Sequence, residues 1–400
     1  MNFSSKQISN VNFKGKKVLI RVDFNVPLNH NRQITDDTRI RESLPTINKV
    51  LHDGGSVILM SHLGRPTGGF EMDYSLTPIA PYLSKLLNRN IIFTRELFGQ
   101  RTLDVAKELK PGDVMLMENL RFYPEEIAGD EEFAKRLASM GDAYINDAFG
   151  TAHREHASTA TIARFFPNAK YFGLLLENEI RNLNKLLNEA QPPFTAIIGG
   201  AKVSSKIDII KNLLPKVDNM IIGGGMAFTF IKALGGNVGD SLIENDKIDM
   251  AREMVQEMML KGVNLYLPTD AICADQFSDE ANTQLCNADE IPDKWMGLDI
   301  GPKSCRRFAE LINKSQTVLW NGPMGVFEME SFKQGTKSMA IAVASSTISG
   351  AFSAIGGGDS VAAINQYNLA DQVSYVSTGG GAMLEYLEGR ELPGVRAILE

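Results

Sequence analysis

One local pattern recurs along the whole chain: a short apolar run, then polar or glycine-rich residues, then a helix-like stretch. The apolar runs are continuous rather than alternating, which is typical of strands that helices cover on both faces, as in parallel sheets. The pattern therefore predicts an α/β fold of doubly wound parallel sheets. The ten predicted strands are 17–22, 56–60, 114–117, 143–145, 195–198, 220–222, 264–267, 317–319, 352–355 and 373–376.

The length of the chain, 400 residues, exceeds that of a typical single domain and predicts two large domains. A segment over 173–191 carries apolar residues at three- to four-residue spacing, namely Leu176, Ile180, Leu183 and Leu187. This spacing is that of an amphipathic helix, and a pair of prolines ends it. We therefore expect a first domain over 1–172, a connecting helix over 173–191 and a second domain over 192–390.

Charge and cysteine content narrow the range of partners. The formal net charge of −7 makes the molecule repel polyanions, so neither nucleic acid nor an anionic membrane is expected as a partner. No apolar run approaches the roughly 18 residues of a membrane span, and the N-terminus MNFSSKQISN lacks a signal-peptide core. The three cysteines have no CxxC spacing, which argues against a disulfide framework or a zinc knuckle. A cytoplasmic protein is expected.

The two halves of the chain place different residues after their predicted strands. Residues 1–170 hold 12 of the 18 arginines and all five histidines, whereas residues 171–400 hold 24 of the 35 glycines. In parallel α/β sheets, ligands bind beyond the carboxyl ends of the strands. The asymmetry therefore predicts two different ligands, one for each domain.

In the first half, five segments carry arginine or histidine near strand ends: RVDFNVP from Arg21, DDTRIR from Asp36, SHLGRP from Ser61, ENLRF from Glu118 and NDAFGTAHREH from Asn146. The guanidinium fork matches carboxylate and phosphate oxygens, so these segments together predict a site for a small, multiply charged anion. A single arginine is more often part of a surface ion pair. His62 is expected to form a hydrogen bond with the ligand, with a phosphorylated nucleophile as the alternative. His153 and His156 lack a third metal ligand nearby.

In the second half, five predicted strands end in glycine-rich segments: GGAKVSSK from Gly199, GGGM from Gly223, WNGPMGVFE from Trp320, GGGDS from Gly356 and TGGGA from Thr378. Glycine allows backbone N–H groups to approach a phosphate, and a helix that starts there adds its positive end. The segments therefore predict a phosphate site, with tight turns as the alternative. Neither GxGxxG nor GxxxxGK[ST] occurs, so the dinucleotide and P-loop patterns are not met.

Three charged side chains stand out in these glycine-rich segments. Asp359 follows three glycines and is either an anchor for Mg²⁺ or the N-cap of a helix. Lys202 and Lys206 are four residues apart, which predicts that they share one helix face, directed at solvent or at phosphate.

Eight motifs together resemble those of the phosphoglycerate kinase family, in that family's order and spacing, from residue 12 to 393: RVDFNVPL, SHLGRP, ENLRFYPEE, DAFGTAHREHAST, GGAKVSSKI, WNGPMGVFE, GGGDSVAA and STGGGAMLEYLEG. The resemblance implies two Rossmann-like domains, with 3-phosphoglycerate on the first, MgADP or MgATP on the second, and residues 391–400 returning to the first. It implies a monomeric, cytosolic glycolytic enzyme. The expected reaction is reversible phosphoryl transfer from 1,3-bisphosphoglycerate to MgADP, which gives 3-phosphoglycerate and MgATP.

The resemblance also implies roles for individual positions. The 3-phosphoglycerate contacts correspond to Asp23, Asn25, Arg39, His62, Leu63, Gly64, Arg65, Arg121 and Arg154. The nucleotide contacts correspond to Lys206, Glu328 on the ribose, Gly357, Gly358, Asp359 on Mg²⁺, and Ser360. The groups on the transferred phosphoryl correspond to Arg39, Lys202 and the backbone N–H groups near Gly357 and Gly380. Two positions depart from the family, which usually has Asp at Ser205 and Thr at Ser360.

The expected chemistry agrees with these two sites. Phosphoryl transfer depends mainly on positioning and on charge neutralisation. An acceptor carboxylate is already ionised at neutral pH, so no general base is needed. A nicotinamide-dependent dehydrogenase is a rival function, but its GxGxxG pattern is missing. A non-catalytic nucleotide-binding scaffold is a second rival, and it gives no reason for the arginine cluster.

Overall fold

The computed structural model describes residues 3–400. Contacts between Cα atoms divide the chain into two compact units. The first unit extends to Arg181 and also takes Glu391–Glu400, and the second unit is Asn182–Arg390. Within the described residues 3–400, no helix is both long enough and apolar enough to cross a membrane.

The first unit is built on a six-stranded sheet in which all pairings are parallel. Its strands are β1 (Lys17–Arg21), β2 (Ser56–Met60), β3 (Ile91–Thr94), β4 (Val114–Met117), β5 (Ala143–Asn146) and β6 (Lys170–Phe172). Their order in the sheet is β3-β4-β2-β1-β5-β6. The helices are α1 (Thr38–His52), α2 (Ile79–Leu87), α3 (Gln100–Glu108), α4 (Pro124–Ala128), α5 (Glu131–Ala138) and the start of α6 (Leu174–Asn188), whose residues from Asn182 belong to the second unit. Strands β2, β4 and β5 are buried throughout, as expected for continuous apolar runs.

The second unit contains a parallel six-stranded sheet and two smaller sheets. Its strands are β7 (Phe194–Ile198), β8 (Asn219–Ile222), β9 (Asn237–Val238), β10 (Asn264–Tyr266), β11 (Asp270–Ala274), β12 (Thr283–Asn287), β13 (Glu290–Ile291), β14 (Met296–Ile300), β15 (Thr317–Asn321), β16 (Phe352–Ile355) and β17 (Tyr375–Val376). The large sheet has the order β10-β8-β7-β15-β16-β17. Strands β12, β11 and β14 form an antiparallel sheet, and β13 pairs with β9.

The helices of the second unit lie between these strands in sequence: α7 (Ile207–Leu213), α8 (Met226–Ala233), α9 (Ile248–Leu260), α10 (Pro302–Asn313), α11 (Gln334–Ile348), α12 (Gly358–Gln366) and α13 (Gly380–Leu387). The last helix, α14 (Pro393–Leu399), belongs to the first unit. Short 3₁₀ helices occur at Phe3–Lys6, Ile8–Asn10, Met72–Tyr74, Leu120–Phe122, Phe149–Thr151, Thr161–Phe165, Val203–Ser205, Asn245–Lys247, Glu330–Phe332 and Ala370–Gln372.

The prediction of an α/β fold with two parallel sheets is confirmed, and each of the ten predicted strands is present with ends that shift by up to two residues. Seven strands were not predicted: β3 and β6 in the first unit, and β9, β11, β12, β13 and β14 in the two smaller sheets of the second unit. Strands β3 and β6 lie at the edges of their sheet and are short. The antiparallel strand β12 alternates half-buried and exposed residues, so it lacks the continuous apolar run that marks strands covered on both faces.

The first residues of helices α6 and α14 are hydrogen-bonded to other parts of the first unit. The backbone N–H groups of Leu175 and Leu176, in the first turn of α6, donate to Asp147 Oδ1 over 3.0 and 3.3 Å. At α14, Gly394 N donates to Ala152 O over 2.8 Å. A Cβ on Gly394 would lie 2.9 Å from the Thr159 side chain. Glycine therefore lets α14 pack closely on this part of the first unit.

Candidate active site

In the first unit, the ends of the neighbouring strands β1 and β2 bring together three polar residues. Asp23 and Asn25 follow β1, and Arg39 lies in the first turn of α1. Arg39 Nη1 donates to Asn25 O over 2.8 Å and lies 3.4 Å from Asp23 Oδ2. Asn25 Oδ1 accepts a hydrogen bond from Gly64 N over 2.8 Å. These contacts hold the loop after β2 against the loop after β1.

The segment after β4 fixes the same loop from the other side. Asn119 Nδ2 donates to Leu63 O over 2.7 Å, and Arg121 Nη1 donates to Gly64 O over 2.8 Å. Gly64 has a φ of 63°, and a Cβ there would lie 2.3 Å from the Tyr74 ring, so only glycine fits. Leu63 is buried and contributes its backbone carbonyl to this arrangement.

His62, which is buried, and Arg121, which is half-buried, lie at the centre of this site. Arg121 Nε is buried and has no hydrogen-bond partner within residues 3–400. Burial lowers the pKa of Arg121 to about 10, with a further contribution from the charge of Arg21. His62 is only 3% exposed, and burial together with the charge of Arg21 holds its pKa well below the usual value. The imidazole is therefore neutral at physiological pH.

The remaining predicted contacts of the first unit are exposed. The guanidinium groups of Arg65 and Arg154 form no ion pair with any residue that the structure describes. Arg154 is close enough to Arg121 to affect its pKa. Among residues 3–400, the Arg65 side chain forms no hydrogen bond or ion pair with the other site residues. Sequence reasoning quoted Arg21, Glu126 and Ser158 only as parts of motifs and gave them no role. Their signal was weak, because a buried serine and a glutamate in a helix are common structural residues.

In the second unit, three glycine-rich segments pack backbone against backbone. Gly199 N donates to Asn321 O over 2.9 Å, and Gly224 N donates to Met324 O over 3.1 Å. A Cβ on Gly199 would lie 2.2 Å from Pro323 O, and one on Gly322 would lie 2.1 Å from Gly199 O. At Gly199 and Gly322, glycine is required by close contacts between the loops, a reason that the sequence analysis did not predict.

The glycines that begin the helices after β16 and β17 have open space beside them, unlike the glycines of the three packed segments. A Cβ on Gly358 would meet no heavy atom within 4 Å, and one on Gly380 would meet only the backbone nitrogen of Gly358, at 3.8 Å. Helices α12 and α13 begin at these two glycines. Two helix N-termini, each with its first backbone N–H groups unbonded within the helix, therefore lie side by side. This arrangement can bind an anion.

Lysine and asparagine side chains lie beside these segments. Lys206 Nζ donates to Asn321 Oδ1, and Asn321 Nδ2 donates to Gly356 O over 2.8 Å. Burial lowers the pKa of Lys206, and the charges of Asp359 and Glu388 oppose that effect. The Lys202 ammonium is exposed, and no hydrogen bond to it occurs among residues 3–400. Asn321, at the end of β15, was not predicted as a site residue, because a polar residue at the end of a strand is common and does not by itself indicate a site.

The prediction that Lys202 and Lys206 share a helix face is wrong. Lys202 has extended backbone angles, a 3₁₀ helix follows over Val203–Ser205, and α7 begins only at Ile207. The hydroxyl of Ser205 donates to Lys202 O over 2.8 Å. The four-residue spacing gave the wrong geometry because no continuous α-helix covers it.

The acidic residues of the predicted nucleotide site are exposed, whereas its hydroxyl residue is buried. Asp359 is exposed in the first turn of α12, and Gly357 is the N-cap, so the alternative that Asp359 caps this helix is wrong. Glu328 is also exposed. Ser360 is buried, and its Oγ accepts a hydrogen bond from Gly322 N over 2.6 Å, so it joins two of the glycine-rich segments. In residues 3–400, no three His, Cys, Asp or Glu side chains form a metal-binding group.

Comparison with known proteins identifies the family of this chain. A family model described as phosphoglycerate kinase matches residues 8–390. The chain is 51% identical over 415 aligned residues to a phosphoglycerate kinase of Porphyromonas gingivalis, covering 98% of this chain and 99% of that one. It is 51% identical over 393 residues to one of Chloroherpeton thalassium, covering 98% of each.

Solved structures agree with these sequence matches. The structure of phosphoglycerate kinase from Coxiella burnetii superposes with a TM-score of 0.90 at 43% identity, covering 98% of both chains. That from Pyrococcus horikoshii superposes with a TM-score of 0.83 at 31% identity, again covering 98% of both. The chain therefore belongs to the phosphoglycerate kinase family, whose members transfer a phosphoryl group reversibly between 1,3-bisphosphoglycerate and ADP in glycolysis.

Proposed function

We propose that the first unit binds 3-phosphoglycerate through the residues around the ends of β1, β2, β4 and β5. The proposed contacts are Asp23, Asn25, Arg39, His62, Leu63, Gly64, Arg65, Arg121 and Arg154. The observation that carries this proposal is an excess of donors over acceptors. The exposed guanidinium groups of Arg65 and Arg154 and the buried Arg121 Nε have no acceptor among residues 3–400. A ligand with a carboxylate and a phosphate supplies such acceptors.

We propose that the second unit binds ADP and ATP. Lys206 and the start of α12, from Gly357 to Ser360, would contact the phosphates, and Glu328 would accept hydrogen bonds from the ribose hydroxyls. Leu242 is 51% exposed although it lies beside Gly225, where a Cβ would come within 3.3 Å of it. An exposed leucine beside a glycine-rich segment suits the apolar face of a nucleoside base.

Asp359 is the proposed ligand of Mg²⁺. Its carboxylate is exposed in the first turn of α12, and it has no hydrogen-bond partner among the described residues. Mg²⁺ commonly takes one or two protein carboxylates and completes its shell with nucleotide phosphates and water, so a single carboxylate fits. When bound, the ion would neutralise part of the phosphate charge.

The transfer step needs positioning more than acid–base chemistry. In the proposed direction, the bond between phosphorus and the acyl oxygen of 1,3-bisphosphoglycerate breaks, and a terminal oxygen of ADP forms a new bond to the phosphorus. Arg39, Lys202 and the backbone N–H groups near Gly357 and Gly380 would stabilise the charge on the transferred group. The leaving carboxylate is stable without a proton at neutral pH, so no general acid is required.

Asp359→Asn is expected to weaken nucleotide binding roughly tenfold, or about 1.4 kcal/mol, and to raise the Mg²⁺ concentration needed for activity. The amide is a weaker ligand for a hard cation than a carboxylate. Calorimetry with MgADP and with 3-phosphoglycerate measures the effect. The matched control is Asp371→Asn, an equal charge change at another exposed site of the same unit. Equal weakening of both ligands by Asp359→Asn would contradict the proposed role.

Because the two substrates are assigned to separate units, we propose a hinge closure that brings them together and excludes water from the acyl phosphate. Small-angle scattering should show a smaller radius of gyration with both ligands than with either one. Identical scattering from the free and doubly bound protein would rule the closure out.

We also propose a cytoplasmic monomer, as the family resemblance implies. Light scattering that gives a multiple of the mass of one chain would contradict the monomer.

A further inference from the structure

Arg21, the last residue of β1, is fully buried in the first unit. Its guanidinium donates through Nε to Ser158 Oγ over 2.9 Å, through Nη1 to Val22 O, and through Nη2 to His62 Nδ1, which lies 3.2 Å away. A guanidinium carries only donors and does not lose its proton in proteins. The direction of each of these hydrogen bonds is therefore fixed by the arginine.

Ser158 is fixed from its other side by Glu126, which is fully buried. Glu126 Oε1 accepts from Ser158 Oγ over 2.6 Å, and Glu126 Oε2 accepts from Ser158 N over 2.9 Å. The carboxylate can only accept, so the serine hydroxyl points its proton toward Glu126 and offers its lone pair to Arg21 Nε. Glu126, Ser158, Arg21 and His62 therefore form one buried chain of hydrogen bonds with a single possible direction.

This chain of hydrogen bonds ends at His62 Nδ1, which must accept the hydrogen bond from Arg21. A neutral imidazole has one donor nitrogen and one acceptor nitrogen. We infer that Glu126, Ser158 and Arg21 are positioning residues that hold His62 as the neutral tautomer with its proton on Nε2. This inference rests on the proposed 3-phosphoglycerate site, because it assigns the Nε2–H group as a donor to that substrate.

Two further observations support this tautomer. Asp23 Oδ1 lies 3.8 Å from His62 Nδ1, which is too long for a hydrogen bond from a protonated Nδ1. His62 Nε2 has no hydrogen-bond partner among the residues that the structure describes, so its proton is free to bond a ligand. With the opposite tautomer, two donors would face each other at Arg21, and Nε2 would present a lone pair to an anionic substrate.

The charges around His62 oppose its protonation. The groups that face it are Arg21 from β1, Asp23 after β1, Arg39 from α1, Arg121 after β4 and His156 from the loop after β5. Three of these five are guanidinium groups, and burial adds to their effect in lowering the pKa of His62. We therefore expect His62 to stay a neutral imidazole across neutral pH, so that Nδ1 remains an acceptor for Arg21.

The tautomer is measurable in the full chain with ¹⁵N-labelled histidine. Long-range ¹H–¹⁵N spectra separate protonated from unprotonated ring nitrogens, and His62→Gln identifies the His62 signals among the five histidines. We expect an unprotonated Nδ1 and a protonated Nε2, unchanged between pH 6 and pH 8. A protonated Nδ1, or an imidazolium in that range, would overturn the inference.

Ser158→Ala tests the chain of hydrogen bonds, because it removes the acceptor for Arg21 Nε and leaves the side chains of Glu126, Arg21 and His62 in place. Without Ser158 Oγ, the Arg21 guanidinium is no longer held toward His62, so we expect His62 Nδ1 to become partly protonated and KM for 3-phosphoglycerate to rise about threefold to tenfold, with KM for ATP within twofold of the original. The matched control is Ser43→Ala, which removes a buried hydroxyl that donates to Ile40 O in α1 and should change neither reading. Arg21→Lys, which keeps the charge but loses the fork, should act as Ser158→Ala does.

If Ser158→Ala leaves both the His62 spectrum and KM for 3-phosphoglycerate unchanged, the positioning role is wrong. If the variant does not fold, the spectrum of the unmodified protein still decides the tautomer. Addition of 3-phosphoglycerate separates this inference from the proposed site. His62 signals that keep the expected tautomer but do not respond to the substrate would contradict the site and leave the tautomer assignment standing.

Discussion

Replacement of Arg39 by alanine is expected to lower kcat by about 10³-fold while the affinity for MgADP stays nearly unchanged. Arg39 is held in place by Asn25 O and Asp23 Oδ2, at 2.8 and 3.4 Å, which leaves the rest of its fork for a ligand. A preorganised guanidinium that neutralises charge in a loose phosphoryl transition state contributes more to that state than to the bound substrates. Steady-state kinetics and calorimetry with MgADP measure the two quantities.

The control for Arg39→Ala is Arg41→Ala. Arg41 lies in the same helix and is paired with Asp37 over 2.6 Å at an exposed position. Its loss removes the same charge from the same unit, and kcat should remain within about twofold, because exposed ion pairs contribute little. A fall in kcat of less than about tenfold for Arg39→Ala would show that this arginine does not act on the transferred group.

Replacement of Gly322 by alanine is expected to destabilise the second unit by roughly 2–5 kcal/mol. Gly322 has a φ of 107°, where side chains other than glycine are strained, and a Cβ would lie 2.1 Å from Gly199 O and 2.4 Å from Gly199 C. Both contacts are with backbone atoms, which cannot move aside as a flexible side chain can. The three glycine-rich segments would have to separate to accept the methyl group.

Tryptophan fluorescence measures this effect in the correct unit, because Trp295 and Trp320 are the only tryptophans in the sequence and both belong to the second unit. Trp320 Nε1 donates to Gly322 O over 2.9 Å, so it reports directly on the altered loop. Gly358→Ala is the matched control, since a Cβ there meets no heavy atom within 4 Å. Equal shifts of the urea midpoint for the two variants would show that close packing is not what requires glycine at Gly322.

Most of the parallel sheet architecture could be predicted from continuous apolar runs, because strands covered by helices on both faces leave no polar face. The 56–60 and 114–117 runs match β2 and β4 residue for residue. Edge strands such as β3 and alternating strands such as β12 were not predicted, since each has a partly exposed face and lacks a continuous buried run. The residues of the candidate site came from motifs that resemble a family, and their individual roles remain predictions.

The sequence alone determined the α/β class of this protein, the separation of arginine-rich from glycine-rich segments, and the family to which the motifs point. These properties are local, because they depend on the order of residue types along the chain. The tertiary structure decided which glycines pack against backbone, as Gly199 and Gly322 do, and which start helices in open space, as Gly358 and Gly380 do. It also decided that Glu126, Ser158, Arg21 and His62 are joined by consecutive hydrogen bonds. Hydrogen-bond direction and close approach depend on atoms from distant parts of the chain, and only the folded molecule brings those atoms together.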